Sequence, residues 1–167
     1  VYKRQISGSA SRALPQKSLN VKTRKKYDSE SGIAYPLFSE RDDQVYRRFK
    51  LRNSGADWYS TMFRDALVHS LVDGTVDVDG QAFQPVQDFL NEQFWGIHNM
   101  RESFSEHYLV RRYPELDKKE LDFWKNFRVS KIYEGDAEVW QELVRFLETN
   151  SLERAENAEV LRDALDI

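Results

Sequence analysis

The sequence predicts an α+β domain, a small antiparallel sheet with helices inserted between its strands and following them. Three patterns carry that expectation. Lys17 to Thr23 and Tyr46 to Leu51 alternate apolar and polar residues with the period of half-buried strands. Two apolar-aromatic runs, Pro85 to Leu90 and Phe94 to Met100, are separated only by Asn91-Glu92-Gln93, which reads as a β-hairpin. Elsewhere apolar residues recur at helical spacing, as in Phe63, Leu67 and Leu71 and again in Val139, Trp140, Leu143, Val144 and Leu147.

In chain order, Leu19 and Val21 are the apolar positions of the first alternating strand, and the turn-rich segment Asp28 to Gly32 follows. Tyr46, Phe49 and Leu51 are the expected buried face of the next, which Asn53-Ser54-Gly55 breaks. Asp57 is the expected N-cap of a helix with Phe63, Leu67 and Leu71 on one face, ending at Asp73-Gly74. Thr75 to Gly80 is an Asp- and Gly-rich loop without the downstream Glu of an EF-hand. After the hairpin, Ser103 with Glu106 reads as a capping box for a helix carrying Phe104, Tyr108 and Leu109 and closing near Tyr113-Pro114. Leu116 to Phe127 is expected to contain a short helical piece and Val129 to Tyr133 a short strand. Asp136 caps the next helix, and a last one starts near Glu156 with Val160, Leu161, Leu165 and Ile167 apolar.

At 167 residues, with 40% hydrophobic and 13% aromatic residues, the chain can bury a core without covalent staples. It has no cysteine, which excludes disulfides, thiol catalysis and thiolate metal sites. A net charge of −3 gives no bulk basic field, so nucleic acid is not a favoured partner. The charge is uneven: Lys3 to Lys26 is basic and the segment after Asp136 mostly acidic, which leaves room for a local anion site near the N-terminus. No apolar run approaches the roughly 20 residues of a membrane span. Val1 in place of an initiating Met predicts an incomplete N-terminus.

His69, His98 and His107 share no helix face at metal-ligand spacing and read as surface or hydrogen-bonded core residues, with no metal site expected. Ser7 to Ser11, with Arg12 and Lys17 behind it, is either a small-residue loop presenting backbone N–H groups to a phosphate or simply a Ser-rich edge. Lys17, heading its strand, is placed to meet phosphate oxygens, although a surface lysine has the same pattern. Lys22, Arg24, Lys25 and Lys26 read as a solvated strand end. Asp65, beside Arg64 on the first helix, either anchors a strand lysine as in kinases or forms a helix-surface pair. Arg101-Glu102 lies where the chain leaves the sheet for a helix, as an ion-pair point or the lip of a cleft. These patterns by themselves stop at an α+β domain.

Four segments together resemble the CotH (spore-coat protein H) kinase family. They are Ser11-Arg12-Ala13-Leu14-Pro15-Gln16-Lys17-Ser18, Phe49-Lys50-Leu51-Arg52-Asn53-Ser54-Gly55-Ala56-Asp57-Trp58, Met62-Phe63-Arg64-Asp65-Ala66-Leu67, and the string from Phe89-Leu90-Asn91 through Phe94-Trp95-Gly96-Ile97 to Arg101-Glu102. The last two are the more specific. Tyr133-Glu134-Gly135-Asp136 and the helices after it are similar to the connecting region of larger bacterial members.

The resemblance implies a protein-kinase N-lobe-like fold over about residues 6–113, a helical connection over about 114–167, and a chain, 1–167, that stops before the catalytic lobe. It implies ATP-dependent phosphorylation of serines in spore-coat or extracellular proteins, with Mg²⁺ accompanying ATP and a Ser-containing protein as partner. Lys17 becomes the strand lysine at the ATP phosphates, with Ser11 and Arg12 in the approach to it. Arg64 or Asp65 falls on the helix behind the lysine, and Arg101 and Glu102 at the junction where adenine meets backbone groups. The acids for phosphoryl transfer and for Mg²⁺ are implied beyond Ile167, so no catalytic residue is assigned within the chain. Here Ile6-Ser7-Gly8 replaces the Arg-Gly usual before the phosphate loop, and Asn91-Glu92 replaces the commoner Asn-Gly turn. The rival expectation is a non-catalytic assembly module of a spore coat or secreted complex.

Overall fold

In a computed structural model of the protein, residues 2–24, 32–42, 45–125 and 131–165 are described, and they divide into two compact units, 1–108 and 109–167. The expected features at Lys25, Lys26, 28–31, 126–130 and Ile167 lie outside the described residues.

The first unit contains β1 (Tyr2–Ser7), β2 (Ser18–Thr23), β3 (Ile33–Ala34), β4 (Val45–Tyr46), β5 (Arg48–Arg52), α1 (Arg64–Val72), β6 (Phe83–Leu90) and β7 (Gln93–Glu102). Helix α2 (Glu106–Arg112) follows β7. Five strands form one antiparallel sheet in the order β1-β2-β5-β7-β6, while β3 and β4 pair separately. The α+β expectation holds, with α1 inserted between β5 and β6.

Register makes the sheet two-faced. Leu19 stands opposite Leu51, Val21 opposite Phe49, and Leu51 opposite Met100, so one face is apolar across three strands. Phe38, Tyr46 and Ala82 close over it, with the Phe38 and Tyr46 rings edge to face at 5.3 Å. Truncating the fully buried Phe38 ring to Ala would cost about 3–5 kcal/mol. Lys22, Lys50, Arg52 and Arg101 alternate onto the other face, which is strongly cationic.

That cationic face explains a departure from expectation in α1. The helix begins at Arg64, and Gly55–Asp57 forms a 3-10 turn instead of its first turn. Asp57 still caps it, from seven residues away: its carboxylate accepts from the Arg64 N–H at 3.1 Å and from the Thr61 hydroxyl at 2.6 Å. Phe63, Leu67 and Leu71 are exposed, not buried, and Asp65, Ala66 and His69 are the more buried positions. Arg101 can be neutralised from α1 only if the acid faces the sheet, so polar complementarity overrides the apolar stripe.

The hairpin is tighter than the sequence indicated, with Gln93 paired to Leu90 and a two-residue tip. Asn91 (φ 50°) and Glu92 (φ 67°) are both left-handed, as a type I′ turn requires. Helix α2 starts at Glu106 and is capped by Ser105, whose hydroxyl accepts from the Tyr108 N–H at 3.3 Å, so the box on Ser103 does not form.

The second unit contains β8 (Phe123–Lys125), β9 (Lys131–Glu134), α3 (Glu138–Thr149) and α4 (Ala155–Leu165). Over the described part of the segment expected to hold a helical piece, 116–125, the chain instead turns at 117–120 and enters β8. The Asp117 carboxylate accepts from the Lys119 N–H at 2.9 Å within a turn closed by the Glu120 N–H to the Asp117 carbonyl at 3.1 Å. Asp136 accepts from the Glu138 N–H at 2.9 Å and starts α3, whose Trp140, Leu143 and Val144 are partly covered.

Candidate functional site

The β1–β2 connection, residues 8–17, is built around small residues. Gly8 has φ 105°, and a Cβ there would collide with the Ser11 hydroxyl, so only glycine fits. Ser9 accepts from the Ala10 N–H at 2.7 Å and opens a 3-10 turn over Ala10–Ala13. The Lys17 ammonium folds back over this turn, donating to the carbonyls of Arg12 at 2.7 Å and Leu14 at 2.6 Å. An ammonium has three donors, so one remains for an anion at the loop.

Asn53, fully buried at the end of β5, fixes the loop from behind. Its amide donates to the carbonyls of Gln16 at 2.6 Å and Ser11 at 3.4 Å. Its oxygen accepts from the Ser18 hydroxyl at 2.7 Å and the Gly55 N–H at 3.1 Å. Gln16 reaches the far side, donating to the Ile97 carbonyl at 2.9 Å and accepting from the Trp58 indole at 3.1 Å. Gly96, at φ 125°, leaves space for that amide, which a Cβ would strike at 2.7 Å. The buried His98 stands 3.0 Å from the Lys17 carbonyl through Nε2. A carbonyl only accepts, so Nε2 carries the proton and Nδ1 accepts from Gln16 at 3.3 Å. The loop is thereby held by Asn53, Trp58 and His98, all from outside it.

A second cluster lies between α1 and the cationic sheet face. Arg101 is 1% exposed and donates to Asp65 at 2.7 Å, and Arg52 approaches the same carboxylate oxygen at 3.5 Å. Burial pushes the Arg101 pKa down, and Asp65 opposes that shift. Among the described residues the Arg101 Nε finds no acceptor.

Glu102 sits on the opposite face, as alternation along β7 demands. It accepts from Arg41 at 3.3 Å and from the Ala82 N–H at 2.8 Å. Arg41 continues to Asp73 at 2.8 Å and the Gly80 carbonyl at 3.0 Å. Burial works against the Arg41 charge, but the Asp73 hydrogen bond and the two carboxylates raise its pKa overall. The Glu102 backbone is also engaged, its N–H with the Ala82 carbonyl at 3.3 Å and its carbonyl with Gln81 at 3.1 Å.

The structure therefore brings Ser11, Arg12 and Lys17 together in one loop and pairs Asp65 with Arg101, while Glu102 belongs to the core-side network of Arg41. The partners of Asp65 are arginines, not Lys17. Sequence reasoning passed over Arg52, Asn53 and Arg41. A signal for Arg52 was present: in kinases a cation on the third strand pairs with an acid on the next helix. Here β5 is the third strand of the main sheet in chain order, and α1 follows it. Among the described residues no cluster of three or more His, Asp or Glu side chains is arranged to hold a metal ion.

A five-stranded antiparallel sheet with a helix inserted after its third strand, and a strand cation paired to that helix, defines an α+β protein of the kinase small-lobe type. A family model described as CotH kinase protein matches residues 5–167, and the chain belongs to the CotH kinase family. No curated protein and no solved structure matches it. Membership supports a kinase-like function. No helix among the described residues is long and apolar enough to cross a membrane.

Proposed function

We propose that this chain binds the phosphates of ATP at the β1–β2 loop and serves an ATP-dependent protein serine kinase. The observation that carries the reading is Lys17, whose ammonium is anchored by two loop carbonyls with a third donor left over. One charge-assisted hydrogen bond contributes about 1.5–3 kcal/mol, whereas millimolar affinity needs about 4. The remainder is assigned to Arg12, to Ser11 and to backbone N–H groups of the loop. Mg²⁺ accompanies the nucleotide, and Asp65 with Arg101 positions the sheet beneath it. At Glu102 the side chain is internal, so adenine recognition at the junction falls to backbone groups beyond it. The substrates in this reading are Ser-containing proteins of a spore coat or an extracellular surface. The acids of phosphoryl transfer are assigned to no residue of 1–167. The test is transfer of labelled phosphate from ATP to a Ser-rich protein by the product of the full reading frame. Loss of transfer in Lys17→Met supports the reading, and undiminished transfer overturns it.

One feature favours a second reading, a non-catalytic assembly module. Phe89, Phe94, Trp95 and Ile97 of the hairpin are all exposed, an apolar group of the kind that marks interaction surfaces. Concentration-dependent sedimentation together with no nucleotide binding supports this alternative.

A further inference from the structure

A cavity of about 320 Å³ opens where β2 ends, β5 begins and α2 starts. It is lined by Lys22, Arg24, Arg47, Arg48, Glu106 and His107, together with Thr23, so four cationic side chains face a single carboxylate in a chain whose net charge is −3. Lys17 and Lys22 are separated by about 16 Å along the strand direction, so this cavity is separate from the loop described above.

Strand register sharpens the anomaly. Lys3 of β1 stands directly opposite Lys22 of β2, and Lys22 directly opposite Arg48 of β5. Three cations thus form one row across three neighbouring strands. Like charges in direct cross-strand register oppose sheet formation. Among the described residues no side-chain hydrogen bond or ion pair joins Lys3, Lys22 or Arg48 to a carboxylate. Burial lowers the Lys22 pKa, and Arg48, Arg24 and Lys3 lower it further while Glu106 opposes them. Arg47 is held 3.0 Å from the His107 ring, which fixes one cation at the cavity wall.

We propose that this cavity is a phosphate-binding site, taking the phosphoryl group of a phosphorylated side chain or of a small phosphate ester. A phosphate dianion accepts several charge-assisted hydrogen bonds at once and neutralises the repelling row. The size of the cavity accommodates the group with the carbon atoms that carry it.

Thermal unfolding of the whole chain, in phosphate and in chloride at matched ionic strength, separates binding from screening. Phosphate is expected to raise Tm beyond chloride. Lys22→Gln/Arg48→Gln is expected to unfold at a higher temperature than the parent in chloride, because the repulsion is relieved, and to lose the extra phosphate response. Should the double variant fold poorly, Lys22→Gln alone, at an exposed position, is expected to weaken binding of phosphoserine about tenfold by calorimetry. Titration with free phosphoserine and with a phosphoserine peptide distinguishes the sources. Tighter binding of the peptide assigns the site to a phosphorylated protein segment, and equal binding to a small ester. Equal effects of phosphate and chloride, or an undiminished phosphate response in the variants, overturn the proposal.

Discussion

Arg101 of β7 and Asp65 of α1 meet at 2.7 Å, and this contact turns the polar side of α1 toward the sheet. Arg101 is almost wholly inaccessible whereas Asp65 is 39% exposed at its side chain, so the pair is screened on one side only. Asp65→Ala is expected to destabilise the fold by about 2 kcal/mol, because it strands a buried guanidinium. Adding Arg101→Met should recover part of that loss. Urea unfolding of both variants checks it, and a double variant weaker than the sum of the singles would contradict it.

Asn53 joins the β1–β2 loop, β2 and the turn before α1. Asn53→Ala removes the side-chain donor to the Gln16 carbonyl and the acceptor for the Ser18 hydroxyl proton. The expected loss is about 2–3 kcal/mol, with early hydrogen exchange across the loop amides. Unchanged exchange there would show that the loop is held by other contacts.

His69 gives the fold a dependence on pH. Its Nδ1 accepts from the Gln81 N–H at 3.2 Å, which requires the neutral ring. Burial lowers its pKa below the ordinary 6.5, Arg101 and Arg52 add to the shift, and Asp65 and Asp73 oppose it. The unfolded chain therefore binds the proton more readily. The contribution is complete above the unfolded value and is lost as pH falls through the lowered folded value. Between neutral pH and about pH 5, the parent should lose more stability than His69→Gln. Parallel losses would remove His69 as the source.

Glu92 carries φ 67° at the hairpin tip, a conformation that suits glycine. Glu92→Gly is expected to raise stability by about 0.5–1 kcal/mol, the relieved strain being partly offset by a more flexible unfolded chain. A fall in thermal midpoint would mean that the Glu92 side chain contributes more than its backbone costs.

These residues also show what the sequence made legible. Alternation revealed β2 and the buried face of Tyr46, Phe49 and Leu51, because one sheet face packs against a continuous core. The hairpin was legible because two apolar runs flanked a short polar connection. The face of α1 was not, since its orientation depends on Arg101, some 36 residues later in the chain. Local pattern also misled over 116–125, where the chain turns at Asp117 and enters β8. At the candidate site, Lys17 and its small-residue loop were visible as residue types. The supports from the buried Asn53 and from Gln16 were not, because hydrogen bonds spanning 35 and 81 residues leave no periodic trace.

On the proposed reading, Lys17 and its loop bind the phosphates of ATP. The most direct test is calorimetric titration of the folded chain with Mg-ATP, alongside Lys17→Met. The account predicts binding in the millimolar range or tighter, weakened about tenfold or more by the substitution. Equal binding by the two proteins, or none by the folded parent, would contradict it.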